Sequence, residues 1–447
     1  MSARREAHVV VDLGFGDAGK GTITDHLTRA RGAHTVVRFN GGAQAGHNVV
    51  TDDGRHHTFA QLGAGSFSPG VQTWLSRHVV VHPTALLVEA WHLARNGVTD
   101  PLSRVTVSAA AKVVTPFHQS ASRLRELARG SARHGSCGVG VGEVMLDATT
   151  HGDVLRAGEL SDTASLRRAL LRVRDRKRAE LDDALRAVAR DPEAARDVGA
   201  FEDDAVLDAW IDALSAWRET VRVVDDARFA EVLRGDGAVI FEGAQGVLLD
   251  EWRGTHPHTT WSTCTFDNAE ELLREHGYDG EVRRVGVLRA YATRHGAGPF
   301  PTEDVALTAS LAEPHNPYGA WQGAFRAGWS DRVLSRYAVA CCGRVDALAL
   351  THLDRLDARD TWRVCDRYRV REEHRELFSD DGRTLALGPW QDLAHQARIT
   401  AALSSAEPLY EEVSSDAVGY VEATEEALGA PVAITSWGPR AGDKRGQ

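Results

Sequence analysis

Short runs of apolar residues alternate with longer amphipathic stretches along most of the chain. The short runs predict β-strands at His8–Leu13, Thr35–Phe39, His78–Val81, Ala238–Phe241, Val285–Leu288 and Ala347–Leu350. Between them, apolar residues at helical spacing predict helices, among them Lys20–Arg31, Thr84–Arg95 and Ser330–Val339. Strands that alternate with helices are typical of a parallel sheet covered by helices. We therefore expect an α/β fold with one large, mostly parallel sheet flanked by helices.

The segment 161–233 departs from this alternation, since it is rich in Ala, Arg, Asp and Glu. Its apolar residues recur at helical spacing, namely Leu166, Leu170 and Val173, and then Leu181, Leu185 and Val188. We interpret it as a helical insertion within a single domain that covers residues 1–447, because no repeat or low-complexity linker divides the chain. Its charged residues are expected to form a solvated face without a chemical role.

Composition narrows the class of protein. The formal net charge of the 447 residues is −11, and no Lys/Arg run could follow a phosphate backbone, so nucleic acid is not an expected partner. The five cysteines contain no CxxC pair, which favours a reducing compartment over a disulfide framework or a zinc site. The N-terminus has no long apolar segment typical of a signal peptide or a membrane span. A cytoplasmic enzyme without a membrane partner is expected.

A glycine-rich loop follows the first predicted strand. The stretch GFGDAGKG from Gly14 to Gly21 has the P-loop spacing but ends in glycine where Ser or Thr is expected. Glycines allow backbone N–H groups to face an anion, while the next helix and Lys20 add positive charge. Since the missing hydroxyl normally binds Mg²⁺, Asp17 is the candidate to supply an oxygen instead. The alternative is a purely structural turn, which the flanking strand and helix disfavour.

A second glycine cluster, FNGGAQAGHN from Phe39 to Asn48, follows the second predicted strand. Loops at the carboxyl ends of neighbouring parallel strands meet at one edge of a sheet, so this cluster is expected beside the first loop. A lone histidine in a loop is more often simply polar. Next to a phosphate loop, however, His47 becomes a candidate to neutralise charge on a phosphoryl group during transfer.

The two loops resemble the GDEGKGK and GGxNAGHT signatures of the adenylosuccinate synthetase family. The resemblance continues in order with FEGAQGVLLD from Phe241, RAYATRHGAGPFPTE from Arg289, THLD from Thr351 and SWGP from Ser436. These matches span nearly the whole chain with compatible spacing. The resemblance implies that family's P-loop-like fold and a GTP-dependent ligase that forms a C–N bond.

Enzymes of this family use GTP and Mg²⁺ to phosphorylate the 6-oxygen of IMP, and the amine of aspartate then displaces the phosphate. The resemblance implies that Asp17 is the general base, with Lys20, His47 and Gln245 as the other catalytic residues. His47 would donate a hydrogen bond to the phosphoryl group, and Gln245 would hold the reacting base. Asp17 and the Gly46 carbonyl would bind Mg²⁺. A homodimer is also implied, since family sites are completed by a neighbouring subunit.

The resemblance also assigns binding residues. GTP contacts are expected at Gly16, Ala18, Gly19, Lys20, Gly21, Gly46, His47, Arg326, His352, Asp354, Ser436 and Gly438. Contacts to the acceptor and the amine are expected at Gln44, Ser136, Cys137, Gln245, Thr260, Trp321 and Gln322.

A preference for guanine has support from the residues themselves. Asp354 follows an apolar strand, and its carboxylate can accept from both N1–H and the 2-amino group of guanine, a donor pair that adenine lacks. His352 replaces the lysine of the corresponding element in guanine-binding proteins. A helix-capping aspartate at the surface is the alternative role for Asp354, which its combination with Ser436–Pro439 disfavours.

The departures from the family pattern fall in the acceptor half. The family's GTTGRGIGP loop reads GSCGVGVG from Gly135 to Gly142, so a threonine hydroxyl has become the weak donor Cys137. The arginine that the partner subunit contributes aligns with His151. The GATTGRRRR loop reads GAWQGAFR from Gly319 to Arg326, so its first arginine has become Ala324. Two tryptophans also replace small residues near the expected site, namely Trp261 and Trp437.

These changes leave three hypotheses. An arginine contact to a phosphate or carboxylate is typically worth about 2–3 kcal/mol, so losing two would weaken nucleotide binding greatly unless other groups compensate. The first hypothesis is a diverged ligase with an altered acceptor or amine, and the second is an authentic IMP–aspartate ligase with an unusual phosphate pocket. The third is a catalytically silent GTP-binding regulator, against which the retained Asp17, Lys20, His47 and Gln245 count.

Overall fold

The computed structural model describes residues 5–130, 133, 135–311, 323–356 and 361–446. The strands are β1 Glu6–Asp12, β2 Thr35–Arg38, β3 His47–Val50, β4 His56–Phe59, β5 Gln72–Leu75, β6 Val80–Val81, β7 Val105–Ser108, β8 Lys112–Val113, β9 Arg222–Val224, β10 Ala238–Glu242, β11 Glu281–Arg289, β12 Ala292–His295, β13 Phe325–Gly328, β14 Ser330–Asp331, β15 Ala347–Thr351, β16 Thr361–Arg369, β17 Glu407–Ser414, β18 Val432–Ser436 and β19 Lys444–Gly446.

The α-helices cover the faces and one end of the central sheet. They are α1 Lys20–Ala30, α2 Pro83–Arg95, α3 Pro116–Arg129, α4 Val141–Thr150, α5 Thr163–Glu180, α6 Asp182–Val188, α7 Ala195–Gly199, α8 Asp204–Thr220, α9 Phe229–Arg234, α10 Asp267–Glu275, α11 Val305–Ser310, α12 Arg332–Cys342, α13 Leu393–Ser405 and α14 Ala417–Leu428. No helix in the described part of the chain is long and apolar enough to cross a membrane.

Ten of the described strands form one twisted sheet in the order β19-β18-β15-β11-β1-β10-β2-β5-β7-β9. Every neighbouring pair is parallel except β18 and β19, which pair antiparallel at one edge. This arrangement confirms the predicted α/β class and its large, mostly parallel sheet. All the parallel strands therefore end at the same edge, where the glycine loops follow them.

Side chains of the central strand β1 alternate between two apolar layers. Val9 and Val11 belong to a large cluster with residues of α10, α12 and α14, whereas Val10 packs with Ile23 and Leu27 of α1. Both layers exclude water almost completely from β1, since each of these valines is at most 1% exposed. A strand buried on both faces explains the near-continuous apolar run that predicted it.

The segment 161–233 contains four helices, α5 to α8, whose apolar faces meet α3 and α2. Leu166, Leu170 and Val173 are buried in a cluster with Leu214 and Trp217 of α8. The segment is not helical throughout, however. Arg222–Val224 form β9, which pairs in parallel with β7 and completes one edge of the central sheet.

Several predicted boundaries differ from the structure, among them the start of β11 at Glu281 instead of Val285 and the end of α12 at Cys342 instead of Val339. Only Val80–Val81 of the predicted strand His78–Val81 are extended, as the short strand β6. Ser330 and Asp331 form β14 instead of starting a helix, and α12 begins at Arg332. Asp331 ends the strand because its carboxylate accepts from the Leu334 N–H at 3.0 Å and so caps the helix.

A buried ion-pair network joins α4 to α5. The ammonium group of Lys177 is fully buried and lies within 3.0 Å of oxygens of Glu143, Asp147 and Glu180. Burial by itself lowers the pKa of Lys177, but the three carboxylates outweigh it and raise that pKa above its usual value. Lys177 is therefore charged, and it fixes α4 against the helical segment.

We expect Lys177→Met to destabilise the protein by about 3–5 kcal/mol, because it leaves buried carboxylates without their cation. The free energy of unfolding, measured by urea titration, tests this expectation. Arg178→Met on the exposed side of the same helix is the control and should change that free energy by less than about 0.5 kcal/mol. Equal stabilities of the two variants would show that the network contributes nothing.

Candidate active site

Three loops meet at the carboxyl edge of the sheet, because β1, β10 and β2 are adjacent and parallel. The phosphate loop of residues 14–21 follows β1, the Gln245 turn follows β10, and the loop of residues 40–48 follows β2. On the other side of β1, the residues Thr351–Asp354 follow β15 and Ser436 ends β18. The order of strands therefore places the predicted catalytic and GTP-binding groups in one row.

The phosphate loop is folded around the carboxylate of Asp12, the last residue of β1. Its oxygens accept from the backbone N–H groups of Gly14 at 2.8 Å, Gly16 at 3.3 Å and Ala18 at 2.8 Å. The Lys20 ammonium lies 3.2 Å from the same carboxylate, and both groups are buried. The expectation that these loop N–H groups face a bound anion therefore needs correction, since Asp12 already occupies them.

The first turn of α1 remains as the anion-binding part of the loop. Gly19 precedes the helix with a φ of 98° and has no side chain to cap it. The first intrahelical bond runs from the Ile23 N–H to the Gly19 carbonyl, so the N–H groups of Lys20 and Gly21 have no intrahelical partner. These two N–H groups and the helix dipole can bind phosphate oxygens.

Gly21 allows the second loop to approach the first. A methyl group on Gly21 would lie 2.7 Å from Cβ of His47 and 3.0 Å from its carbonyl carbon. The hydroxyl residue that usually ends a P-loop therefore has no room here. The close approach brings His47 to the start of α1, beside the N–H groups that can bind phosphate.

His47 is held by a buried carboxylate, Glu242, at the end of β10. Nδ1 of His47 lies 2.6 Å from Oε1 of Glu242, whose other oxygen accepts from the Ala64 N–H at 2.9 Å. Burial alone would raise the pKa of Glu242, but His47 and Arg38 hold it below its usual value. Since an ionised carboxylate only accepts, Nδ1 carries the proton and the second ring nitrogen is left for a ligand.

The charge state of His47 depends on what binds beside it. In the free protein, burial lowers the pKa of His47, and Glu242 only partly opposes this effect. A triphosphate beside the ring would favour the imidazolium form, because its negative charge is not screened by water there. Only that form donates from both nitrogens, to Glu242 and to a phosphoryl oxygen.

Gln245 lies between the two glycine loops. Asn40 fixes the turn before it, since its side chain donates to the Ala244 carbonyl at 3.1 Å and accepts from the Ala244 N–H at 2.7 Å. The backbone at Gln245 is left-handed, with a φ of 57°. Both polar atoms of the Gln245 amide are buried without a hydrogen-bond partner among the described residues. An amide left in this state is suited to a ligand that offers both a donor and an acceptor.

Asp17 lies at the tip of the phosphate loop with a φ of 62°. Its side chain is 31% exposed, and Oδ2 lies 3.3 Å from Nε2 of His295 in β12. Gly46, the second residue predicted to bind Mg²⁺, is exposed in the loop just before β3. A solvent-accessible carboxylate and a backbone carbonyl are oxygen ligands of the kind that Mg²⁺ prefers, so the residues fit this ion.

A second acidic cluster does not fit a metal ion. Asp147, His151 and Glu180 bring ligand atoms within 4.8 Å of one another. The Lys177 ammonium, however, lies 2.5 Å from an oxygen of Asp147 and 2.9 Å from one of Glu180. This side chain supplies the positive charge that a metal would otherwise provide, so the cluster is an ion-pair network.

The predicted base-binding residues lie next to the phosphate loop. Thr351 donates from Oγ1 to the Ala18 carbonyl at 2.7 Å, which ties the end of β15 to the loop. Burial, together with Arg289, Arg355 and Lys444 nearby, holds the pKa of His352 well below its usual value. His352 is therefore neutral and accepts from Arg289 at 2.7 Å.

Asp354 and the Ser436–Pro439 turn complete this region. Asp354 is partly exposed, and its carboxylate lies 3.3 Å from Nε of Arg355. Ser436 donates to the Gly438 carbonyl at 3.1 Å, and Lys444 donates to the same carbonyl at 2.9 Å. Burial lowers the pKa of Lys444 to about 8. Trp437 is half-buried beside this turn, with the Arg445 guanidinium 4.7 Å from its ring centre.

The predicted acceptor residues surround the start of α4. A methyl group on Gly42 would lie 2.9 Å from Oε1 of Gln44 and 3.0 Å from Val141, so the two loops touch. Oε1 of Gln44 is buried without a hydrogen-bond partner among the described residues. Ser136 and Cys137 lie in the loop before α4, and burial raises the pKa of the Cys137 thiol. Thr260 is anchored by its N–H to the Leu249 carbonyl at 2.8 Å.

The predicted amine-binding loop is described only in part. Trp321 and Gln322 lie outside the described residues. Arg326, in β13, donates to Glu303 at 2.6 Å and to the carbonyls of Gly296 and Gly298. Its guanidinium is therefore neutralised by a carboxylate of this chain and is also bound by backbone acceptors.

Sequence reasoning missed three residues that organise the site, namely Asp12, Asn40 and Glu242. Each is at most 1% exposed, and each binds backbone or side-chain groups of a glycine loop. The available signal was a polar or charged residue at the end of an otherwise apolar strand. Burying such a residue is unfavourable unless it is hydrogen-bonded, so its position predicts a structural task at the strand end.

Comparison with known proteins gives a consistent result. A family model described as adenylosuccinate synthetase matches residues 9–444. The adenylosuccinate synthetase of Prochlorococcus marinus (strain MIT 9303) is 30% identical and aligns over 96% of this chain and 93% of its own. That of Ectopseudomonas mendocina (strain ymp) is 32% identical over 96% of each chain.

Solved structures show the same fold. The fully ligated adenylosuccinate synthetase from Plasmodium falciparum superposes with a TM-score of 0.76 at 22% identity, over 98% of this chain and 99% of that one. The succinoaminodeoxyadenylate synthetase of cyanophage S-2L, bound to dGMP and dATP as an energy donor, gives a TM-score of 0.60 at 20% identity. The superposition covers 99% of this chain and 95% of the phage protein.

We expect Glu242→Gln to lower the rate of GTP cleavage by about 10²–10³-fold, because a neutral amide does not stabilise the imidazolium form of His47. Phosphate release under saturating GTP measures this rate. Glu422→Gln, on the exposed face of α14, is the matched control and should leave the rate unchanged. A Glu242→Gln enzyme with full activity would exclude a role for the His47–Glu242 pair in transfer.

Proposed function

Because the chain belongs to the adenylosuccinate synthetase family, we propose that it is a GTP-dependent ligase that forms a C–N bond in two steps. The γ-phosphoryl group of GTP is transferred to an acceptor oxygen, and an amine then displaces the phosphate. The observation that carries this proposal is the contact of the phosphate loop with both His47 and Gln245. A phosphate-binding helix, a proton donor and a base-binding amide thereby share one site.

In each of the two steps, one bond forms as another breaks. Asp17 removes the proton from the ring nitrogen next to the acceptor oxygen, and that oxygen bonds to the γ-phosphorus as the bond to the β-phosphate oxygen breaks. GDP leaves. The amine nitrogen then bonds to the carbon that carries this oxygen, the C–O bond breaks, and phosphate leaves with its electron pair and takes up the proton that the amine loses. Asp17 lies at the loop tip and is 31% exposed, so it can reach a ligand above the sheet edge.

Charge neutralisation during transfer comes from several groups of this chain. The N–H groups at the start of α1 hold the triphosphate, and His47 faces the transferred group. Lys20, which is buried against Asp12, contributes its charge from below the loop unless it turns toward the phosphate. Mg²⁺, when bound by Asp17 and the Gly46 carbonyl, supplies further positive charge to the phosphate oxygens. Glu242 keeps His47 in the orientation that donation requires and stabilises its imidazolium form when the triphosphate is bound.

The nucleotide is proposed to be GTP, with its base at Asp354 and the Ser436–Pro439 turn. Thr351 links this region to the phosphate loop through the Ala18 carbonyl. A neutral His352, held by Arg289, replaces a lysine and leaves the site with less positive charge beside the base. Arg326 is placed near GTP by resemblance alone, since its guanidinium is bound to Glu303.

The acceptor and the amine are proposed to differ from IMP and aspartate. Cys137 replaces a hydroxyl, Ala324 replaces an arginine, and the remaining Arg326 is neutralised by Glu303. The second candidate is the IMP–aspartate reaction itself, which the 30–32% identity to adenylosuccinate synthetases favours. A homodimer is also proposed, and in it His151 would approach the partner's site.

One assay separates these proposals. Purified protein is mixed with GTP, Mg²⁺, IMP and aspartate, and the ultraviolet shift of adenylosuccinate is followed together with phosphate release. A shift establishes the IMP–aspartate reaction. Phosphate release only with another acceptor and amine establishes the altered ligase. Absence of GTP cleavage across a broad panel would contradict the ligase and leave a GTP-binding regulator.

We expect Asp17→Asn to lower turnover by about 10²–10⁴-fold, the usual contribution of a general base. GDP binding, measured by calorimetry, should change less than turnover, because the N–H groups of α1 are retained. The control is Asp183→Asn, whose side chain is 99% exposed on α6. Turnover that survives in the Asp17 variant would assign the base to another residue.

We expect Asp354→Asn to lower the preference for GTP over ATP by about 10–100-fold, because a charged hydrogen bond of about 1.5–3 kcal/mol is lost. The ratio of kcat/KM for the two nucleotides measures the preference. An unchanged ratio would show that Asp354 does not read the base, and would instead favour its role in the ion pair with Arg355.

A further inference from the structure

We propose that the acceptor of this ligase lacks a phosphate group and is a nucleoside or a similarly uncharged, hydroxyl-bearing compound. The inference rests on the proposed function, and it concerns the acceptor pocket at the start of α4. The residues proposed to line that pocket are Gln44, the loop of residues 135–140, Thr260 and Trp261. Hydrogen-bond donors near this pocket are already bound by groups of the protein, and cations near it are paired with carboxylates.

The backbone donors of the pocket loop are bound to a carboxylate of the protein. Glu126, in α3, is 1% exposed, and its Oε2 accepts from the N–H groups of Gly135 at 3.0 Å and Ser136 at 3.3 Å. A phosphate would have to displace this carboxylate or lie beside it. Two anions at one pair of N–H groups repel each other, and burial strengthens that repulsion.

The side-chain donors of the loop are weak or in use. The Ser136 hydroxyl lies 3.1 Å from the Ser122 hydroxyl and accepts from the Gly138 N–H at 3.3 Å. The neighbouring residue offers only the thiol of Cys137, a weak donor. Such groups can bind the hydroxyl of a sugar, which both donates and accepts. A phosphate dianion offers acceptors alone.

Five of the cations around the loop face carboxylates. Arg129 pairs with Glu126, Arg125 with Glu143 and Glu180, Arg123 with Asp197, Arg176 with Asp147 and Asp153, and Lys177 with Glu143, Asp147 and Glu180. Five cationic side chains thus face six carboxylates. These five described cations therefore have no excess of positive charge to offer a dianion, and Arg133 is a nearby cation outside these pairs.

The positive N-terminal end of the α4 helix dipole also has a carboxylate of the protein beside it. Glu143 lies in the first turn of the helix, where a carboxylate complements the helix dipole. His151, which aligns with the arginine expected to reach a phosphate, has Nε2 3.0 Å from Glu180 of its own chain. The residue that would recognise a phosphate across subunits is therefore engaged within its own subunit.

The mouth of the pocket carries an aromatic surface. Trp261 is 44% exposed, and its indole Cδ1 lies 3.4 Å from where a methyl group on Gly142 would stand. An indole face favours contact with the apolar face of a sugar or a base over contact with a strongly hydrated phosphate. The pocket is thus built for an uncharged ring.

The test uses matched pairs that differ only in the phosphate and carry a 6-oxo group, inosine with IMP and guanosine with GMP. Phosphate release from GTP is measured with Mg²⁺ and a panel of amines that includes aspartate. We expect a nucleoside to be used with a kcat/KM at least ten times that of its monophosphate. A monophosphate that equals or exceeds its nucleoside overturns the inference while leaving the ligase function intact. GTP cleavage with some other acceptor in the panel but with no nucleoside also overturns the assignment.

A binding measurement keeps the two proposals separable. Calorimetry with GDP and Mg²⁺ present compares the affinity of each nucleoside with that of its monophosphate, whether or not the enzyme turns over. Tighter binding of a monophosphate by tenfold or more overturns the inference. Failure of GTP cleavage with every acceptor contradicts the proposed function alone.

Variants at Glu126 and Arg133 test which residues determine the preference between a nucleoside and its monophosphate. Glu126→Gln removes the charge at the loop and should shift the ratio of IMP to inosine affinity toward IMP by at least threefold, whereas Glu219→Gln, exposed on α8, should not shift it. Arg133 is exposed and lies two residues before Gly135. Among the residues that the structure describes, no carboxylate pairs with it. IMP binding that is tight in the wild type and lost in Arg133→Gln would overturn the inference by identifying a phosphate contact.

Discussion

The phosphate loop keeps its shape because the buried carboxylate of Asp12 accepts hydrogen bonds from three of its N–H groups and pairs with Lys20. Asp12 belongs to β1, the strand that both apolar layers cover, so the loop is anchored in the most buried part of the sheet. The positions of Asp17 and His47 depend on this anchor, since one lies on the loop and the other touches its end at Gly21. A ligand therefore meets a formed loop and does not have to order one.

Charge divides the site into two halves. On the nucleotide side, His47 and the N–H groups of α1 are placed to receive negative charge, and Glu242 increases the capacity of His47 to do so. On the acceptor side, Glu126 and Glu143 bind the donors and cations that a phosphate would need. Family membership accounts for the first half. The second half differs from the family's motifs at residues that we propose to bind the substrates.

Much of the fold and of the phosphate loop was predictable from the sequence, because the spacing of apolar residues and glycines indicates them. The apolar run before Gly14 and the glycines after it predicted β1, the loop and α1 almost to the residue. The side-chain partners were not predictable in the same way. Glu242 is distant in sequence from His47, and Asp12 is a single charged residue in an apolar strand, so neither produces a local pattern. β9 was missed because three residues within a helical, charged segment show no strand periodicity, and their pairing with β7 alone makes them a strand.

The position of β1 within the sheet has a consequence for how the chain acquires its structure. Glu6 pairs with Ala238 on one side and with Glu281 on the other, so β1 receives its neighbours only after the long segments that separate it from β10 and β11 have left the ribosome. Pairing at such sequence separation is slow, because the loop between the strands must close before any contact is gained. During translation, the apolar faces of β1 thus remain uncovered for a long interval. A nascent chain of this kind depends on protection from aggregation until β10 and β11 emerge.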